Sequence, residues 1–169
     1  MKRRIGVVLL AAGLPALAAA PANKMEGFPR DEQTGKYTLQ GVVTVEGVAA
    51  DELYARAHAW IATTYASAKD VIQLADKDTG RIIAKGSLPN SYMGAAAWFD
   101  HTLTIEVKEG RFRYSLTDFA FDNGHWSAPL EDERAFTVGF KKTIQRFRQQ
   151  ATDLVEELTA AMMKPAAEW

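Results

Sequence analysis

The stretch from Thr102 to Thr117 sorts into one strand pairing, and that pairing demands an antiparallel sheet with one wet face. Two runs of alternating polar and apolar residues, Thr102 to Val107 and Arg111 to Phe119, flank Glu109-Gly110. With Glu109-Gly110 as a two-residue turn, Lys108 faces Arg111. Val107 then pairs with Phe112, Ile105 with Tyr114 and Leu103 with Leu116, all on one side. Glu106 pairs with Arg113, Thr104 with Ser115 and Thr102 with Thr117 on the other. A slip of one residue would turn every apolar side chain outward, so the register is strongly specified. A sheet with one apolar and one polar face needs helices on the apolar side only.

The rest of the chain supplies those helices and further strands. Tyr37 to Val45 reads as a first strand. Asp51 to Ala68 then takes helical spacing, with Leu53, Ala57, Trp60, Ile61 and Tyr65 on one face. Val71 to Ala75 and Arg81 to Lys85 flank Asp76-Lys77-Asp78-Thr79-Gly80, a hairpin connection. Leu88 to Ala97, with Pro89, Asn90 and Gly94, reads as a loop, and Asp122 to Leu130 as a polar connection. From Asp132 to Met163 the period is helical again, through Phe140, Ile144, Phe147, Ala151, Leu154, Leu158 and Met162. Gly139 marks its true start or a kink. The expected fold is α+β, in the order β-α-β-β-β-β-α, with two helices on one face of an antiparallel sheet.

The first 22 residues have the pattern of a secretory signal peptide. Lys2, Arg3 and Arg4 precede an apolar run from Ile5 to Ala20, and Ala20-Pro21-Ala22 fits a small-x-small cleavage site. The apolar run is short of the ~20 residues that span a bilayer. The expected location is periplasmic or secreted, with no membrane span after cleavage. With no cysteine in the chain, both a lipid anchor at the cut and disulfides are excluded. Residues 23–35 are expected as a flexible lead-in, 36–164 as a single domain, and 165–169 as a tail. Loss of Lys2, Arg3 and Arg4 leaves 17 basic against 21 acidic residues, a net charge of −4. That balance argues against nucleic acid and against anionic lipid surfaces as partners.

Three segments together resemble a known family. They are Glu52 to Trp60 (ELYARAHAW), the Lys77 to Gly86 hairpin ending Ala84-Lys85-Gly86, and Gly110 to Phe119 (GRFRYSLTDF). Their order is similar to that of the bacterial exported family called domain of unknown function 4468, with a TATA-binding-protein-like fold. The likeness spans Tyr37 to Phe119, and the C-terminal helix matches in kind. One departure is Ala49-Ala50 where the family commonly places a capping Ser; Asp51 is the alternative cap here. The resemblance implies the fold, and no activity or catalytic residue comes with it.

Candidate chemistry is sparse. His58, His101 and His125 have no metal-ligand spacing, no GxSxG is present, and neither metal nor cofactor is expected. Asp76, Asp78 and Gly80 suit a hairpin turn better than a calcium loop, whose twelfth position would be Ser87. Basic residues Lys141, Lys142, Arg146 and Arg148 open the last helix and Asp153, Glu156 and Glu157 follow, an order that opposes the helix dipole. The polar sheet face of Thr102, Thr104, Glu106, Arg113, Ser115 and Thr117 is the leading candidate surface. Trp98 and Trp126 are expected in flanking loops, as contact residues or as satellite core. The leading expectation is a non-enzymatic domain that binds a protein or small molecule in the cell envelope. One alternative is a carrier holding an apolar molecule beneath Phe140, Ile144 and Phe147. The other is a hydrolase using Asp100, His101 and His125.

Overall fold

The computed structural model describes Met25, residues 27–136 and residues 139–164. The expected signal peptide and the 165–169 tail lie outside the described residues. Alternating apolar side chains build β1 (Leu39–Thr44), β2 (Ile72–Asp76), β3 (Arg81–Tyr92), β4 (Ala95–Lys108), β5 (Arg111–Asp122) and the short β6 (Ser127–Pro129). The strands form one antiparallel sheet in the order β1-β5-β4-β3-β2, with β6 also on β5. Helical segments are α1 (Ala50–Thr64), the single turn α2 (Ala68–Val71) and α3 (Phe140–Met163). The β4–β5 hairpin has the register set by its apolar pattern, from Lys108 opposite Arg111 to Thr102 opposite Thr117.

Beyond Thr102 the pairing changes phase. Asp100 pairs with Ala120, so Asp118 and Phe119 of β5 lie opposite His101 alone. Asp118 takes a φ of 54°, the left-handed conformation of a bulge residue, and its carboxylate is held by the Lys36 ammonium. Phe112 and Leu116 face the core before the bulge; Phe119 and Phe121 face it afterwards.

The expected loop at 88–97 is instead a continuous ladder, with Leu88 to Tyr92 paired to Phe99 to Ala95. Pro89 survives there because β2 pairs with β3 only as far as Ala84, leaving the distal half of β3 on an edge. Helix α3 completes that edge with side chains. Gln150 Nε2 donates to the Pro89 carbonyl at 2.7 Å, and Thr143 Oγ1 donates to the Ser91 carbonyl at 3.1 Å. Tyr92 pairs with Ala95 around Met93-Gly94, whose φ angles of 50° and 83° make a type I′ turn. Methionine is strained at that φ, whereas asparagine is not. Met93→Asn is expected to raise stability by about 1 kcal/mol, read as the urea midpoint; a lowered midpoint would show that the methionine itself holds the turn.

Helix α3 begins at Phe140 rather than Asp132, because Gly139 at φ 99° cannot continue a right-handed helix. Turns at Pro129–Asp132 and Asp132–Ala135 lead into Phe136, which is buried in the core. Helix α1 has Ala49 as its N-cap with no side-chain cap, so Asp51 does not serve. Glu109 Oε2, from the β4–β5 turn, accepts the Ala50 N–H at 3.2 Å instead.

Both long helices lie on the apolar face. Leu53, Ala57, Trp60 and Ile61 of α1 are buried, as are Phe140, Ile144, Phe147, Ala151, Leu154, Leu158 and Met162 of α3. The segment expected to be a flexible lead-in joins this core through buried Met25 and Phe28. Phe28 stacks on Phe147 at 5.3 Å, a contact that costs the segment its freedom but adds a large apolar surface.

Candidate functional site

The six polar residues singled out from the sequence come together on the face of the sheet opposite the helices. Cross-strand partners share a face, so the pairs Thr102–Thr117, Thr104–Ser115 and Glu106–Arg113 form three successive rungs. Arg113 Nε donates to Glu106 Oε2 at 2.7 Å in a largely exposed pair, worth about 0.2–1 kcal/mol. Neighbouring strands widen the surface. On β1, Gln40 lies beside Ser115 and Val42 beside Arg113; on β3, Ile83 lies beside Thr104 and Lys85 beside Thr102. Val42 is 65% exposed, so this edge of the face is apolar and open.

The two candidate tryptophans part company. Trp98 is not in a loop: it belongs to β4, in the same alternation as Thr102 and Thr104, and is 40% exposed on the polar face. Trp126 does lie in the loop before β6, but its ring packs on Phe121 at 4.9 Å and Phe140 at 5.9 Å. It packs against the core on one side and, at 37% exposed, remains open to solvent on the other.

Asp100, His101 and His125 do not form one site. Adjacent strand residues point to opposite faces, and Asp100 is exposed while His101 is 2% exposed among core residues. His125 is exposed in a loop shaped by the Asn123 side chain, whose Oδ1 accepts the His125 and Trp126 N–H groups at 3.0 Å. The space beneath α3 proposed for an apolar ligand is occupied by rings. Phe147 stacks on Phe99 at 4.1 Å, and Phe140 on Tyr92 at 4.0 Å. Among the described residues no group of three His, Asp or Glu side chains could hold a metal ion. Asp76 Oδ1 accepts the Asp78 and Thr79 N–H groups at 3.1 and 3.2 Å, so the calcium-like Asp serves the hairpin turn. The Thr79 side chain first, and then these backbone N–H groups, hold its carboxyl below the ordinary value.

Two features escaped sequence reasoning. The first is a buried pair: His101 Nε2 lies 2.8 Å from Tyr65 Oη, at the C-cap of α1. Gly86 makes room for it, since a Cβ there would strike the Tyr65 ring and come within 2.8 Å of His101 Nε2. Burial pushes the His101 imidazole down to about 4, opposed by the Phe99 carbonyl and the Asp100 carboxylate. Nδ1 has no hydrogen bond of normal geometry, although that carbonyl is within electrostatic reach. Burial also pushes the Tyr65 hydroxyl well above its ordinary range. Extending the β4 alternation back from Leu103 would have placed His101 inside. The second feature is a groove of about 320 Å³ along the start of β1, lined by Arg30, Leu39, Gln40, Tyr114, Val155 and Glu156 among others. It joins residues distant in sequence, and no local pattern announces it.

An antiparallel sheet with helices on one face and the other face open defines an α+β domain of the TATA-binding-protein-like class. Residues 39–122 match the family described as domain of unknown function (DUF4468) with TBP-like fold, and the chain carries a domain of that family. Two solved structures are similar. One is a DUF4468 family protein from Bacteroides ovatus, with TM-score 0.63 and 15% identity over 83% of this chain and 93% of that one. The other is a TBP-like protein from Parabacteroides distasonis, with TM-score 0.57 and 14% identity over 75% of this chain and 94% of that one. These likenesses show the fold. No curated protein matches the chain.

Proposed function

We propose that this protein is a non-enzymatic binding domain of the cell envelope, and that it meets its partner through the helix-free face of the sheet. The observation that carries this reading is the convergence of Thr102, Thr104, Glu106, Arg113, Ser115 and Thr117 with exposed Trp98 on that face. Short hydroxyl side chains leave the backbone of β4 and β5 close to the surface, while Trp98 offers a large apolar anchor beside them. The basic n-region and apolar run at residues 2–20 support export. The separation of Asp100, His101 and His125 weighs against the hydrolase alternative, and the filled space beneath α3 against the carrier.

A photo-crosslinking amino acid at Thr104 tests the reading in cells of the source organism. Discrete adducts are expected from Thr104 and none from Gln149 on exposed α3. Thr104→Arg with Ser115→Glu, an opposite-charge rung next to Glu106–Arg113, is expected to abolish the adducts formed from a crosslinker at Lys85, with the melting temperature near the parent's. Adducts that survive the double substitution would overturn the sheet-face assignment.

A further inference from the structure

We propose that the tip of the β3–β4 hairpin docks on an anionic lipid surface. Met93 is 85% exposed at the apex of the longest hairpin arm of the sheet. Gly94, Ala95 and Ala96 follow it, all exposed and uncharged. The apex is thus a short uncharged tip carrying one large apolar side chain, of a size to enter the headgroup region.

The cations that such a surface requires come from α3. Tyr92 stacks on Phe140 at 4.0 Å, and Arg146 Nη1 donates to Ser91 Oγ at 2.6 Å. With the Gln150 and Thr143 bonds to β3, these contacts fix the first turns of α3 against the hairpin tip. Lys141 and Lys142 are exposed in the same turn as Phe140. Two lysines at a helix N-terminus oppose its dipole, and an anionic surface offsets both. The acidic residues Asp153, Glu156 and Glu157 lie further along the helix, about 20 Å from the lysines at 1.5 Å per residue. Net acidity therefore does not describe this end of the molecule. Trp98 with Asp122 opposite it, and Asp100 two residues further along β4, lie back from the tip on the sheet face. A bilayer approaching the apex meets Met93 before it meets them. Among the described residues no helix is long and apolar enough to cross a membrane, so the contact is with the surface. This inference stands apart from the sheet-face reading and does not depend on it.

Vesicle flotation tests it. The chain starting at Asn23 is used, because every described element follows that residue and the apolar run at 5–20 would bind lipid by itself. Flotation is expected with phosphatidylethanolamine–phosphatidylglycerol vesicles and not with phosphatidylcholine vesicles, and it weakens as salt rises. Lys141→Gln with Lys142→Gln is expected to lower partitioning about tenfold or more. Met93→Asp, which suits the φ of that position, is expected to lower it about tenfold with folding intact. Absent flotation, equal flotation on phosphatidylcholine, or variants that bind as the parent does would each overturn the proposal. So would full competition by inorganic phosphate at constant ionic strength, which would assign the lysines to a free anion.

Discussion

Phe147→Ala is expected to cost about 3–5 kcal/mol, the largest loss from any single substitution considered for this fold. The ring is fully buried and lies nearly parallel to Phe99 of β4 at 4.1 Å. It also meets Phe119 of β5 edge-on at 5.1 Å and Phe28 of the N-terminal segment at 5.3 Å. One side chain thus joins α3, two central strands and the residues leading into β1. Truncation removes the transfer term and leaves a cavity whose walls are rings held from three directions, so little can collapse into it. A melting temperature lower by about 10 °C or more is expected by circular dichroism. A loss below about 1 kcal/mol would mean that this cluster is not the centre of the core.

Acidification should weaken the fold through His101. Its imidazole has an ordinary pKa of 6.5 and a folded value of about 4, because burial disfavours the charged form. Between these values the unfolded chain binds a proton that the native state refuses. Stability from this group is therefore intact above pH 6.5, falls as pH drops through that window, and is fully lost below about 4. The difference in pKa corresponds to about 3 kcal/mol. His101→Gln keeps an atom near Tyr65 Oη and does not titrate. Urea unfolding from pH 7 to pH 4 should show the gap between parent and variant narrowing by about that amount. Parallel curves would mean that His101 is solvated.

The hairpin from Thr102 to Thr117 was legible residue by residue because strict alternation leaves one register that sorts both faces. Its polar face was legible for the same reason. The segment at 88–97 was not, because Pro89, Asn90 and Gly94 are turn formers and Ala95–Ala97 carry little strand preference. What holds it extended is tertiary: pairing with β4 on one side and α3 side chains on the other. The burial of Phe28 was likewise invisible, since its partners Phe119 and Phe147 lie far along the chain. The Tyr65–His101 contact needed only two more residues of the β4 alternation, but the helix that brings Tyr65 had to be placed first.

The bulge at Asp118 makes β5 a strand with two reading frames joined by a one-residue insertion. Deleting that residue would be absorbed within the strand and would need no adjustment in a loop. It would set Phe119 opposite His101 and leave Ala120 with Asp100 and Phe121 with Phe99, so the distal half keeps both of its faces. In aligning chains of this fold, a single-residue gap at this point therefore belongs inside the strand. A graft of the distal half of β5 onto a regular strand leaves Asp118 behind, because Phe119 set directly after an outward-facing residue already continues the alternation.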